Sequence, residues 1–338
     1  MKLSHLVHYL NFLDQHDSSR TLQEHSAFAN YVSNMFEYIS ACQVQFPGVA
    51  DRIKLVQHDI DQARNSFDQS IAAMKNLIKS HIEIWEPTYF QTSYKFYQRN
   101  CNLDPIALLD SQKIDLDTKC REHLISRLVL YGNWQHAGMI IRPYNESWIQ
   151  NLTALDPLYL VDTNHDLLTN CLDVFPQEYQ SRVRKYIIPS DTFYTQINPL
   201  LPMTPDQPLP VKPHAEKIPQ SQMGLIFCYN FFNYTPLDYI IEYLAKLQTW
   251  LKPGGTAIFT FNNCDKAGAV ELVENDSACY TPGRLLYAAL SRNNWNIHYT
   301  FDVNSAVTWV EMTKPGTLAS ARGGQALARP VAKATRNQ

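Results

Sequence analysis

The sequence predicts an α/β protein, with a mostly parallel sheet that ends in an antiparallel hairpin and follows an α-helical N-terminal domain. Three observations predict it. Between Met223 and Pro315, a buried strand, an amphipathic helix, a Leu251-Lys252-Pro253-Gly254-Gly255 turn and a second buried strand follow one another without a break. Two alternating runs then close the folded part, Trp295 to Phe301 and Ala306 to Met312, joined by Asp302-Val303-Asn304-Ser305. Residues 1 to about 120 have a different texture, rich in Gln, His and Asp and almost free of glycine, which predicts helix.

In chain order, Phe28, Tyr31, Val32, Met35, Phe36 and Ile39 form one helical stripe, which Pro47 and Gly48 interrupt. Ile53, Val56, Ile60, Ala63, Phe67, Ile71, Met74 and Ile78 then alternate steps of three and four. That spacing suits a helical hairpin within the chain or a coiled-coil seam for self-association or docking to a larger assembly. An aromatic segment over 84–97, from Ile84-Trp85-Glu86-Pro87 to Tyr94, Phe96 and Tyr97, reads as a lid over a site or as the joint between helical and sheet domains. Leu128-Val129-Leu130-Tyr131-Gly132 reads as a first strand with a trailing glycine, and Leu158-Tyr159-Leu160-Val161-Asp162 as a second strand ending in an acid about thirty residues later. A helix over His165–Leu172 follows. Tyr186-Ile187-Ile188-Pro189-Ser190-Asp191 fits a third strand, and the prolines between 195 and 221 predict an extended crossing.

Gly224-Leu225-Ile226-Phe227-Cys228-Tyr229 is too short for a free-standing helix and reads as a strand buried on both faces. Thr235-Pro236-Leu237-Asp238 supplies a hydroxyl cap, a proline at the first helical position and an acid at the positive end of the dipole. Leu237, Ile240, Ile241, Leu244, Leu247 and Leu251 give that helix one apolar stripe to lay on a sheet. Ala257-Ile258-Phe259-Thr260-Phe261 returns as a parallel neighbour through a right-handed crossover. Gly283 to Leu290 adds a further helix before the hairpin.

A sheet of this order, ending in a helix and a hairpin, resembles the class I S-adenosylmethionine-dependent methyltransferases over roughly residues 121–316. The resemblance implies a Rossmann-type sheet, S-adenosylmethionine as cofactor and transfer of its methyl group to an acceptor that the sequence does not identify. It places Gly132 and Asn133 in the cofactor loop, Asp162 on the ribose hydroxyls and Asp191 near adenine. A carboxylate can accept from both vicinal hydroxyls, which is why an acid suits that strand end. Asn230-Phe231-Phe232-Asn233-Tyr234 stands where amino-group methyltransferases carry an Asn or Asp with prolines and an aromatic residue, which makes Asn230 and Tyr234 the candidate catalytic pair. Their expected work is to orient an acceptor lone pair. His136, in the stretch that the resemblance makes the glycine loop, is the nearest candidate base. That loop, Tyr131-Gly132-Asn133-Trp134-Gln135-His136-Ala137-Gly138, is wider than the family's and interrupted by bulky side chains, although glycine is what permits close approach and positive φ. A second reading follows from it: a catalytically inactive methyltransferase-fold protein with a structural role, such as a subunit of a larger or viral complex.

Composition narrows the class. With 338 residues, 45% of them hydrophobic, the chain has room for about two domains. The domains expected are helical over 1–120 and methyltransferase-like over 121–316, before a basic, disordered tail over 317–338 that holds Arg322, Arg329, Lys333 and Arg336. A formal charge of -3 gives no support for wholesale capture of nucleic acid. Seven cysteines without a C-x-x-C pair suggest neither a zinc site nor a disulfide framework. No run suggests a membrane span or a signal peptide, so the expected location is the cytoplasm.

Overall fold

A computed structural model describes residues 2–15, 49–101, 118–130, 136–141, 155–162, 165–187 and 218–317. The chain divides into two compact units, Met1–Thr88 and Tyr89–Gln338. The Phe28–Ile39 stripe, most of the proline-rich crossing and the basic tail beyond Thr317 lie outside the described residues.

In the first unit, α1 (Leu3–Gln15) is tied by Asp14 to Lys75 at 3.0 Å. Lys75 belongs to α2 (Val49–Cys101), a continuous helix of 53 residues that carries both the Ile53–Ile78 stripe and the aromatic segment. Pro87 lies inside it.

The second unit is built on one seven-stranded sheet in the order β3-β2-β1-β4-β5-β7-β6. Its strands are β1 (Ala137–Ile141), β2 (Leu158–Asp162), β3 (Val183–Ile187), β4 (Met223–Cys228), β5 (Leu251–Asn262), β6 (Asn296–Asp302) and β7 (Val307–Thr313). The first five are parallel, while β7 runs antiparallel to both β5 and β6. This is the methyltransferase-like Rossmann sheet with a terminal hairpin that the sequence predicts.

Helices cover both faces because alternate residues of the buried strands point to opposite sides. Met139, Ile141, Ile226, Phe259 and Val310 face α6 (Leu237–Trp250) and α8 (Gly283–Arg292), through Ile240, Leu244, Leu286 and Leu290. Ile140, Leu160, Leu225, Phe227, Ile258 and Trp309 face α3 (Thr118–Leu130) and α4 (His165–Leu172), through Cys120, Leu124, Leu168 and Cys171. The one-turn helix α5 (Gln177–Gln180) leads into β3, and α7 (Ala267–Glu274), which the sequence reading did not anticipate, follows β5.

Four local expectations are corrected. Leu128-Val129-Leu130 is the last turn of α3, and the first strand is Ala137–Ile141. The helical period decides it. Cys120 and Leu124, one turn apart, are buried on the sheet, and His123 and Arg127, also one turn apart, both reach Glu311 on β7. The third strand begins at Val183 and pairs Val183–Ile187 with Leu158–Asp162, so Tyr186 and Ile187 are its end and not its start. The Lys252–Gly255 segment is not a turn outside the sheet. Met223 pairs with Leu251 and Leu225 with Thr256, so the segment is a bulge within β5, where Gly254 takes a φ of 73°. Finally, Pro236 occupies the cap position of α6, and the Thr235 hydroxyl donates to Phe231 O at 3.0 Å.

Glu311 shows how tightly α3 is held. Its side chain is wholly buried and lies 2.5 Å from His123 Nε2, while Arg127 Nε and Trp309 Nε1 donate to it at 3.1 and 3.0 Å. The His123 ring stacks on Tyr299, and the Arg127 guanidinium lies over the same tyrosine.

Candidate functional site

The chain moves outward from β1 to β2 and β3, then returns to the other side of β1 with β4 and β5. That reversal makes the gap between β1 and β4 a topological switch point, and in open α/β sheets ligands bind at the carboxyl ends of the strands there. The register sets the height of the flanking residues. Ile141 pairs with Val161 on one side, and Ile140 with Phe227 on the other. Asp162, which pairs with Ile187 of β3, and Tyr229 therefore stand one step above the end of β1, with Asn230 just beyond. Asp162 and Asn230 are two strand spacings apart, roughly 10 Å.

Asp162 ends β2 as a buried carboxylate. It faces Cys171 on α4, whose thiol is pushed up to about 12 by burial first and by the Asp162 charge second. The thiol is therefore an inert neighbour.

After β4 the chain turns sharply. Asn230 adopts a left-handed backbone with φ 55°, a conformation that favours Asn among non-glycine residues. Its N–H donates to Thr260 Oγ1 on β5 at 2.8 Å, and Asn233 Nδ2 donates to its side-chain Oδ1 at 2.6 Å. Both amides are buried, yet Asn230 Nδ2 and Asn233 Oδ1 have no hydrogen-bond partner among the described residues. Leaving such groups unmade costs about 1–3 kcal/mol each, so a donor and an acceptor are held ready side by side. Phe232 is fully buried against Tyr243 and Phe259 and closes the end of the strand.

Tyr234 is half-buried, and its ring lies 6.5 Å from Phe96, at 27° to it. Phe96 belongs to the last part of α2, from Tyr89 onward, which is tied to the loop around Asn230. Ser93 Oγ accepts from Tyr280 N at 2.6 Å, Tyr89 donates to Glu274 at 2.7 Å, and Tyr94 donates to Asp238. Burial, then the Asp238 carboxylate, holds the Tyr94 hydroxyl proton well above the ordinary tyrosine range. Cys279 N donates to Asn233 O at 2.8 Å, so one chain of bonds runs from Ser93 through the 279–280 loop to the asparagine pair.

Sequence reasoning missed Asn262 and Thr281, which border this region. Asn262 Nδ2 donates to Ala269 O and Cys279 O, both at 3.1 Å. Asn262 Oδ1 and Thr281 Oγ1 are buried without a hydrogen-bond partner among the described residues. The available signal was two polar residues, Thr260 and Asn262, at successive same-face positions of a buried strand.

Gly132, Asn133 and Asp191 lie outside the described residues. In chain order Gly132 and Asn133 precede β1, so they do not belong to a loop that follows the first strand. His136 also precedes β1, at the amino edge of the sheet. Its Nδ1 lies 3.2 Å from Lys252 Nζ, and it packs so closely on Gly224 that a Cβ there would come within 2.5 Å of its own Cβ. It is no base for a site at the carboxyl edge. The segment that does follow β1 begins Arg142-Pro143, and the sequence has no glycine between Gly138 and Gly224. The fit to an adenosyl cofactor rests on Asp162 and the asparagine loop, without the family's glycine cradle. Among the described residues, no group of three or more His, Cys, Asp or Glu could hold a metal, and no helix is long and apolar enough to cross a membrane.

No protein-family model matches the chain, and comparison with curated proteins gives no significant match. Similar solved structures include the N-methyltransferase NodS from Bradyrhizobium japonicum WM9, at 10% identity over 59% of this chain and 99% of that one, with a TM-score of 0.39. An S-adenosylmethionine-dependent methyltransferase from Clostridium acetobutylicum gives 12%, 62%, 95% and 0.42 for the same measures. Magnesium protoporphyrin IX methyltransferase from Synechocystis, with bound S-adenosylhomocysteine, gives 11%, 69%, 98% and 0.42. Resemblance at this level assigns no ligand and no residue to the present chain.

Proposed function

We propose that the second unit binds S-adenosylmethionine at the carboxyl edge of its sheet and transfers a methyl group to an acceptor presented at the asparagine loop. The observation that supports this reading is the register: a buried carboxylate ends β2 at the level of Tyr229, and the asparagine pair with unmade hydrogen bonds follows immediately on the other side of the switch point. Bound there, S-adenosylmethionine would supply an electrophilic methyl carbon on a sulfonium, with the neutral thioether of S-adenosylhomocysteine as the leaving group. Asp162 accepts from the two ribose hydroxyls. Asn230 and Asn233 orient the acceptor, held by the Thr260 bond to the backbone and by each other. Tyr234 supplies an aromatic wall beside them. Such a site works by positioning more than by acid–base chemistry.

A second reading has its own observation. With no glycine between Gly138 and Gly224, the segment after β1 lacks the residue type that lets backbone approach a cofactor closely. On that reading the sheet is a scaffold for assembly. Isothermal titration with S-adenosylmethionine separates the two, with Asp162→Ala as control for the site. The first reading expects saturable binding, weakened at least tenfold in the variant; no heat at millimolar ligand would favour the scaffold.

A further inference from the structure

We propose that Asn262 and Thr281 complete the acceptor site and make it select a neutral amino group with an acceptor atom beside it, the edge that a carboxamide or an aminoheterocycle presents. The inference rests on the acceptor being held at the asparagine loop, and it adds what that loop can recognise.

Four buried side-chain atoms without a hydrogen-bond partner among the described residues fall on one bonded network: Asn230 Nδ2, Asn233 Oδ1, Asn262 Oδ1 and Thr281 Oγ1. The network is short. Asn230 N donates to Thr260 Oγ1, and Asn262 lies two residues further along the same face of β5. Cys279 ties the two ends together, because its N–H donates to Asn233 O at 2.8 Å and its carbonyl accepts from Asn262 Nδ2 at 3.1 Å. Thr281, two residues beyond, is fixed against the end of β5, with its carbonyl accepting from Cys264 N at 2.9 Å. Asn230 and Asn233 are 3% and 4% exposed and the other two 0%, so bulk water does not complete these bonds.

The unmade bonds define the ligand. Two carbonyls, Ala269 O and Cys279 O, fix which end of the Asn262 amide is nitrogen, so its open end is an acceptor. The asparagine pair leaves one donor and one acceptor, and exchanging the ends of both amides leaves the same two. Thr281 adds a hydroxyl that can do either. A matching group donates at least two hydrogens and accepts one, as an amino group beside a carbonyl oxygen or a ring nitrogen does. It is also neutral. None of the four side chains carries a charge, and the acids of the neighbouring segments, Asp238, Asp265 and Glu274, are engaged by Tyr94, Arg284 and Tyr89. A cation buried there would stand unpaired, which is far costlier than burying a bonded amide. A group without N–H donors would leave the acceptors unmade, and a site built to bond such hydrogens rejects analogues that lack them.

The test is ligand-observed NMR titration of the full chain with four small probes: benzamide, 4-aminopyrimidine, benzamidine and N,N-dimethylbenzamide. Benzamide stands for a carboxamide source and 4-aminopyrimidine for a heterocycle. Benzamidine has the shape of benzamide with a positive charge and no acceptor, and N,N-dimethylbenzamide keeps the acceptor without the N–H donors. Benzamide or 4-aminopyrimidine should bind saturably and at least about tenfold more tightly than either control, and the tighter of the two names the source. Thr281→Val keeps the volume and removes the hydroxyl. It should weaken the preferred probe by about fivefold and leave the melting temperature unchanged or higher, because no described residue bonds that hydroxyl. A control that binds as tightly, or no binding of any probe, would overturn the inference. So would a Thr281→Val variant that loses stability and keeps the probe, which would show that the hydroxyl holds a structural water. S-adenosylhomocysteine titrated alone tests the proposed function separately: if it fails to bind while the probe order holds, methyl transfer falls and the amide site stands.

Discussion

His136 and Asp162 are buried on the same sheet and belong to opposite edges of it. His136 sits at the amino edge, where burial, and then the Lys252 ammonium, lowers its pKa from the ordinary 6.5. Near pH 6 the unfolded chain therefore binds a proton that the folded chain refuses, so stability rises with pH through that window. On acidification this contribution is lost from about pH 6.5 downward, until the folded-state value is reached. Urea melts between about pH 5 and pH 7.5 should show that slope, and His136→Gln should remove its share of it. That Asp162 ends a buried strand was legible in the sequence, because an apolar run stops at it and a buried carboxylate there is costly unless it is partnered. His136 was misplaced because its role depends on which run is the first strand, and a single residue carries no record of that.

At the scale of elements, the difficulty was one apolar run at a helix end. Leu128-Val129-Leu130 has the length and composition of a buried strand, and short apolar runs do not declare their period. The deciding pattern lay one turn earlier, in Cys120 with Leu124 and His123 with Arg127. Its partner, Glu311, is distant in sequence. That cluster is also where α3 is most vulnerable. Glu311→Ala would leave Trp309 Nε1 and the Arg127 and His123 donors facing an apolar gap. Removing one member of a buried ion pair costs about 3–5 kcal/mol, and in a unit of this size the melting temperature should fall by roughly 10 °C. A loss under 1 kcal/mol in chemical melts would show that the cluster is incidental. The later elements were easier to read. β4, α6, β5 and the β6–β7 hairpin carry long, well-spaced patterns, and only their edges moved: the bulge at Lys252–Gly255 and the cap at Pro236 depend on pairing with Met223 and on backbone angles.

For the whole molecule, the mostly parallel sheet and its antiparallel end were legible, because a helix pattern marks the crossover from β4 to β5 and two alternating runs mark the hairpin, whereas the crossing from β3 to β4 carries prolines and no helix pattern. The asparagine loop was legible as a position, but its bonds to Thr260 and to Cys279 were not, since they join residues thirty and more apart. The central claim is that function lies at the carboxyl edge, between the end of β2 and the loop after β4. Hydrogen exchange with and without saturating S-adenosylhomocysteine tests it most directly. Added protection in peptides covering 158–162 and 228–235, with none in those covering 136–138 or 251–255, is the predicted result; protection confined to the amino edge, or none at saturation, would contradict it.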